Sequence, residues 1–359
     1  MMIKKFEIKN FRCFENFVID NLSPITIVGG KNNCGKTALL ESLIVPLAVN
    51  HPSVFWDLLS LRNVNADTMI PSQMWNPLFY NFEDTNEFSI KIFLDNSEEI
   101  KFTAQKIYNG IVKRGEKKII SSSPSKNFSS LKVAIETDKY KGEGQYNLPS
   151  VISSNSDGME FKPSPGADAV SLPYGAITLY RNATTRASVA ESVSKVSLDR
   201  NKKSLLISAM QNFDSAIEDI NTVLDNGSPY VYVTLNSGKH FPINYMGDGI
   251  NKAVEILVYI LNLQNGTLLI DEAENGFHYS LYEKLLKIFF ETALSVQCQI
   301  IMTSHSREFI ESLLDVTKEI GQLKNLSYQR LGFSKGERKA FNFSGDSLSD
   351  AFATNMEVR

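Results

Sequence analysis

Residues 28–40 read Val-Gly-Gly-Lys-Asn-Asn-Cys-Gly-Lys-Thr-Ala-Leu-Leu, and Gly30, Gly35, Lys36 and Thr37 among them complete the pattern G-x-x-x-x-G-K-[ST]. An apolar run over 24–28 leads in, and Ala38 to Leu43 leads out with helical patterning. That order of strand, loop and helix is the context a phosphate-binding loop requires. Glycines let the backbone curl until several N–H groups point inward, and the helix that follows adds the positive end of its dipole. Gly30, Asn32, Asn33, Cys34, Gly35, Lys36, Thr37 and Ala38 are therefore the expected contacts to ATP. Lys36 is expected to reach the β- and γ-phosphates, and the Thr37 hydroxyl to ligate Mg2+.

Length, charge and cysteine usage narrow the classes further. The chain of 359 residues accommodates one large α/β domain carrying an insertion, here at about 50–240. A net charge of −3 argues against a protein coated by nucleic acid, although it leaves room for a local basic groove. Cys13, Cys34 and Cys298 are scattered without a C-x-x-C pair, so neither a disulfide framework nor a zinc site is expected. Cys34 fills an x position of the loop. The longest apolar segment, Ala253 to Leu263, is interrupted by Glu255 and is too short to span a bilayer. The start of the chain reads as a strand rather than a signal peptide, and the expected setting is a reducing cytoplasm with no membrane contact.

Strands are expected over 2–9, 17–20, 87–94, 100–102, 106–112, 118–120, 131–137 and 175–180. The first helix should run from Gly35 to about Val45, where Pro46 limits it. Residues 50–90, with their prolines and aromatics, read as short helices and loops packed on the core. Lys113, Arg114, Lys117 and Lys118 form a basic cluster at a hairpin, read as a solvated turn rather than a nucleic-acid contact. Residues 121–175, rich in Ser, Gly, Asn and Pro, are expected to be mainly loops. Apolar residues at helical spacing predict one long helix over 199–224. A hairpin is expected around Asn236-Ser-Gly238. Beyond it, helices over 250–263 and 279–294 alternate with buried strands over 266–272 and 299–304. A helix from about 306 and a final strand pair follow. The fold class expected is α/β, with a mostly parallel core sheet, an antiparallel N-terminal sheet and an inserted α+β region.

Two further stretches carry chemistry. Thr267-Leu-Leu-Ile-Asp-Glu272 is a buried strand ending in two acids. Asp271 at its carboxyl end can hold Mg2+, and Glu272 can orient or deprotonate an attacking water. Thr303-Ser-His-Ser306 follows the next strand, placing His305 to bond a γ-phosphate or position water. The same stretch suits helix capping, since Ser304 and Ser306 are good N-cap residues.

This order of motifs resembles the ABC-type ATPases of the SMC, RecF and OLD groups. The resemblance covers the phosphate-binding loop, the Walker B strand at 267–272, a switch histidine at His305 and a glycine turn at 246–249. The turn, Met246-Gly-Asp-Gly249, departs from the LSGGQ-like signature of transporters, SMC proteins and RecF. Together with Asp271-Glu-Ala-Glu-Asn-Gly-Phe-His278 it looks like the OLD-type ATPases of defence systems. The resemblance implies head-to-tail dimers or higher oligomers, in which Gly247, Asp248 and Gly249 of one copy cap the γ-phosphate held by the other. It implies that Asn275, Gly276 and His278 exchange contacts across that dimer. Gln73 is a candidate for the glutamine that follows the first helix in this family. The metal-binding Glu and Asp-x-Asp set of the OLD nuclease domain is missing from the sequence, as are an HNH or Cys-His cluster and long heptad coils. The expected function is an ATP-hydrolysing switch controlling a separate effector, a nuclease or toxin, in anti-phage defence, with DNA or a phage product as trigger. The alternative is a RecF-like DNA-binding repair protein.

Overall fold

The computed structural model describes residues 2–47, 54–60, 62, 73, 75–83, 87–108, 112–114, 117–119, 129–138, 141–146, 159–163, 177–180, 186–225 and 227–354. Strands β1 (Ile3–Phe11) and β2 (Phe14–Ile19) form a hairpin, and β3 (Ile25–Gly30) leads into helix α1 (Lys36–Leu47). A short helix, α2 (Val54–Ser60), precedes β4 (Phe88–Leu94) and β5 (Glu99–Tyr108). A small hairpin of β6 (Val112–Arg114) and β7 (Lys117–Ile119) comes next, then β8 (Ser129–Thr137), β9 (Lys141–Tyr146), β10 (Met159–Pro163) and β11 (Ile177–Tyr180). Helices α3 (Arg186–Ser197) and α4 (Arg200–Gln211) lead to a three-stranded sheet of β12 (Ile217–Asp225), β13 (Ser228–Leu235) and β14 (His240–Pro242). The remainder alternates as α5 (Asp248–Asn262), β15 (Thr267–Ile270), α6 (Tyr282–Ser295), β16 (Gln299–Thr303) and α7 (Arg307–Glu319). It closes with β17 (Leu326–Ser334), β18 (Glu337–Ser344) and α8 (Gly345–Ala353).

Two large sheets dominate the described residues. The core sheet runs β11-β15-β16-β3-β17-β18 and is parallel except for the last pair. The other runs β10-β9-β8-β5-β4-β1-β2 and is antiparallel throughout. Core strands are apolar on both faces, as a doubly covered parallel sheet demands. Ile27, Leu268, Ile270, Ile300 and Met302 face the cluster built with α5, α6 and α7, while Val28, Leu269 and Ile301 face the antiparallel sheet. Helix α1 lies between the two sheets, against β3 and β16 on one side and β4 and β5 on the other. Phe11, Phe55, Trp75, Phe79, Phe88 and Phe102 fill the space beside it with edge-on and tilted ring contacts.

The inserted stretch enters both sheets, since β4, β5 and β8 extend the antiparallel sheet and β11 pairs in register with β15. The long helix expected over 199–224 is corrected. Asp199 caps α4 by accepting from the N–H groups of Asn201 and Lys202, and the helix gives way at Asn212. Asp214 accepts the N–H of Ala216 in a turn, and the β-branched residues beyond it form β12. The misleading signal was Ile217 and Ile220, three apart and both buried. A register shift in β12 between Ile217 and Asp219 lets a strand turn both toward one core, which otherwise marks a helix. The strand expected over 100–102 and the first part of that over 106–112 are one strand, β5, which ends at Tyr108; 109–111 lie outside the described residues, and Val112 opens β6. Of the loop-rich 121–175, the glycine-containing β9 and the strand β10 are regular, while 121–128, 147–158 and 164–175 lie outside the described residues. Helix α1 carries Pro46 within it rather than ending before it.

Candidate functional site

At Gly30 the chain leaves the core sheet and wraps back to start α1. Gly30 and Gly35 adopt φ +134° and +109°, which L side chains rarely reach. Space excludes a side chain as well. A Cβ on Gly30 would lie 2.5 Å from the Leu331 carbonyl oxygen, and one on Gly35 2.8 Å from Cys13 Sγ. The Leu39 N–H donates to the Gly35 carbonyl at 2.9 Å, so the N–H groups of Lys36, Thr37 and Ala38 belong to the first turn, free of intrahelical partners. Lys36 is buried, and its ammonium donates to the carbonyls of Gly30 (2.7 Å) and Lys31 (3.0 Å). Cys34 is buried beneath the loop, whereas Asn32 and Asn33 are exposed on it.

The acids at the end of β15 meet this loop from the side. Thr37 Oγ1 donates to Asp271 Oδ2 at 2.9 Å, and Thr303 Oγ1 donates to Asp271 Oδ1 at 2.7 Å. Thr303 then accepts the backbone N–H of Glu272 at 2.8 Å. Glu272 has φ +52°, an uncommon conformation for a residue with a side chain, and the Thr303 bond helps to hold it there. Its carboxylate is half-exposed, bonded by the Asn275 amide and 3.7 Å from His305 Nε2. Glu274 Oε1 accepts the N–H groups of His305 (2.6 Å) and Ser306 (3.2 Å), which pins the histidine's backbone. Ser306 meanwhile accepts the Phe309 N–H as N-cap of α7, so this stretch both caps a helix and presents His305 to Glu272.

Sequence reading missed an ionic cluster behind α1. Glu41 is fully buried, 3.0 Å from Arg12 Nε and 2.9 Å from Arg62 Nε. Burial lowers the Arg62 pKa, but the Glu41 hydrogen bond and the charges of Glu41 and Asp271 outweigh it, leaving the net value raised. Arg62 thus adds positive potential at the acid end of the site. A carboxylate in the apolar run Ala38-Leu-Leu-Glu-Ser-Leu was the visible signal for Glu41, whereas nothing near Arg62 singles it out. Glu41→Gln should lower folding stability by about 3 kcal/mol, because it removes the counter-charge of a buried pair. Chemical denaturation of both proteins measures it.

The remaining expected site residues form a second surface. Gly247, at φ +91°, starts α5; it and Asp248 are exposed, and a Cβ on Gly247 would meet nothing within 4 Å. Gly249 faces Leu281, and the exposed rings of Tyr245 and Tyr279 flank this end of α5. His278 accepts the Ser280 N–H and caps the turn before α6. Gln73 is exposed. The loop, Thr37, Asp271, Glu272, Thr303 and His305 are therefore brought together, while the glycine turn lies apart from them with Gly247 and Asp248 exposed. One hydroxyl and one carboxylate, Thr37 and Asp271, are what Mg2+ takes from a protein when phosphates and water complete its shell, so the residues fit that ion.

A family model described as an AAA ATPase domain matches residues 1–162 and 178–310. An ATP/GTP phosphatase of Helicobacter pylori is 27% identical over 339 residues, covering 89% of each chain. An OLD nuclease of Thermus scotoductus is 32% identical over 94 residues, 26% of this chain and 15% of that protein. Among solved structures, an SMC head bound to the C-winged helix domain of ScpA superposes with a TM-score of 0.51 at 12% identity, covering 98% of this chain and all of that one.

Proposed function

Since the chain belongs to the AAA ATPase domain family and is an ABC-type ATPase of the SMC, RecF and OLD group, we propose that two copies close head to tail around two ATP molecules. The observation that carries this reading is Asp271, bonded by Thr37 of the phosphate loop on one oxygen and by Thr303 on the other, with Glu272 beside His305. In this reading the loop from Gly30 to Ala38 holds the phosphates, and Lys36 meets the β- and γ-phosphates. Thr37 and Asp271 would hold Mg2+, which would supply neutralisation of phosphate charge there. Glu272 takes a proton from the water whose oxygen bonds the γ-phosphorus as the bond to the leaving ADP oxygen breaks. His305 donates to a γ-phosphate oxygen.

Gly247, Asp248 and Gly249 complete the site of the other copy, because helix N-terminal N–H groups suit an anion and Gly247 and Asp248 are exposed at this helix start. The γ-phosphate is then a contact both copies share, and its loss loosens the pair. We assign this opening and closing to the control of a separate effector, a nuclease or toxin, in anti-phage defence in the cytoplasm. The likeness over 94 residues to an OLD nuclease supports that setting. No helix among the described residues is long and apolar enough to cross a membrane. Against a DNA clamp, lysines on the antiparallel sheet are paired with acids: Lys5–Glu7, Lys91–Glu99, Lys132–Glu143 and Lys141–Glu136.

Complementation tests the composite site. Lys36→Ala and Gly249→Trp chains should each be inactive alone, since one lacks the loop and the other the cap. Mixed, they form pairs with one intact site, and activity should return, to at most about a quarter of wild type for random pairing, as mass action requires. Mixtures as inactive as the single variants would sink the shared-site reading.

A further inference from the structure

Lys252 lies one turn into α5 and is 7% exposed, an unusual place for a lysine. Its ammonium donates to the Asn275 carbonyl and sits 4.8 Å from the centre of the Phe277 ring. Its stem packs on Gly276, where a Cβ would come within 3.3 Å of Lys252 Cδ. Asn275 in turn donates its side-chain amide to Glu272 Oε2, whose other oxygen faces His305. At the other end of the same helical turn, the Asn251 backbone and side-chain N–H groups both donate to the Gly247 carbonyl, at 3.2 and 3.1 Å. A continuous chain of contacts therefore runs from the outward glycine turn through Lys252 and Asn275 to the Glu272 carboxylate.

Packing does not require the charge. A methionine would fill the same space against Phe277 with no ion to desolvate. Burial pulls the Lys252 pKa down to about 8, with Glu255, Glu274 and Glu272 opposing that fall. The ammonium is kept at a cost, and beyond packing it fixes the carbonyl of Asn275.

We infer that Lys252 is a positioning residue that couples the two nucleotide sites of the dimer. Its ammonium holds the 275–277 loop so that Asn275 can orient Glu272, and its helix carries the turn that caps the nucleotide of the other copy. Seating that turn on one ATP thereby sets the glutamate that serves the second ATP, and by linkage the reverse holds. The inference rests on the shared-site reading above.

The test uses the full chain. Lys252→Met should bind a fluorescent ATP analogue and dimerise with it as wild type does, while kcat falls about ten- to a hundredfold through misplacement of the glutamate. Wild-type hydrolysis should be cooperative in ATP, and the variant's Hill coefficient should drop to one. Asn275→Ala cuts the same link from its other end and should reproduce the loss; the double variant should be no slower than either single one. Lys252→Arg should recover part of the rate. Wild-type kcat in Lys252→Met, losses that multiply in the double variant, or a non-cooperative wild type overturns the proposal. If Lys252→Met does not fold, Asn275→Ala alone carries the kcat and Hill readouts. Failure of the complementation experiment is separate, since it removes the shared site whatever Lys252 does.

Discussion

Glu272→Gln should bind ATP as tightly as wild type, hydrolyse it at least about a hundredfold more slowly, and accumulate as an ATP-bound dimer. The amide matches the carboxylate in shape, so it can keep a polar contact to the Asn275 side chain and the packing around φ +52° at this position. What it loses is the basic oxygen 3.7 Å from His305 Nε2, the group able to take a proton from water. Ground-state contacts from the loop and Lys36 are untouched, so binding and catalysis should separate in this variant. Single-turnover hydrolysis together with size-exclusion light scattering reads both halves of the expectation. Turnover at the wild-type rate would remove Glu272 from the mechanism and point to another base.

Lys36→Ala should abolish measurable nucleotide binding, a loss of at least about a hundredfold in affinity if charge-assisted bonds to two phosphates contribute ~1.5–3 kcal/mol each. The ammonium already lies inside the curl of the loop, held by the Gly30 and Lys31 carbonyls, so little ordering is needed when phosphate takes their place. Folding should survive, because the truncation removes the ammonium's bonds to the Gly30 and Lys31 carbonyls but leaves the buried face of α1 in place. Isothermal titration with ATP checks the affinity, and retained binding within about threefold of wild type would contradict the charge-assisted contact.

The phosphate loop and the acidic strand were legible because local rules and tertiary demands coincide there. Gly30 and Gly35 are needed both for backbone conformation and for space, and 267–270 is buried on both faces. His305 was legible by its place after the next strand. Thr303, two residues before it, was not, since a threonine at the end of a buried strand has no distinctive pattern; only the fold shows it gripping Asp271 and the Glu272 N–H together. Lys252 was likewise hidden, being one basic residue at the start of an otherwise apolar helix. The misread stretch was 199–224, where an irregular strand mimics helical spacing. Residues 141–146 were passed over because glycines at 142 and 144 lower strand propensity, a deficit that pairing on both sides with β8 and β10 overrides.

Strand β11 has a bearing on how such a chain can diversify. It arrives from the inserted stretch, yet it lies in parallel register beside β15, Ile177 against Thr267 through Tyr180 against Ile270. Lineages can rewrite the rest of the insertion around those four residues as long as the core side chains it supplies, such as Ala190, Val193 and Val196 of α3, are kept. Losing the four would strip the acid-bearing strand of one of its two neighbours and make β15 itself the sheet edge, open to pairing with other chains. The insertion is thus stitched to the engine it surrounds, and recombination could exchange its embroidery but not the stitch.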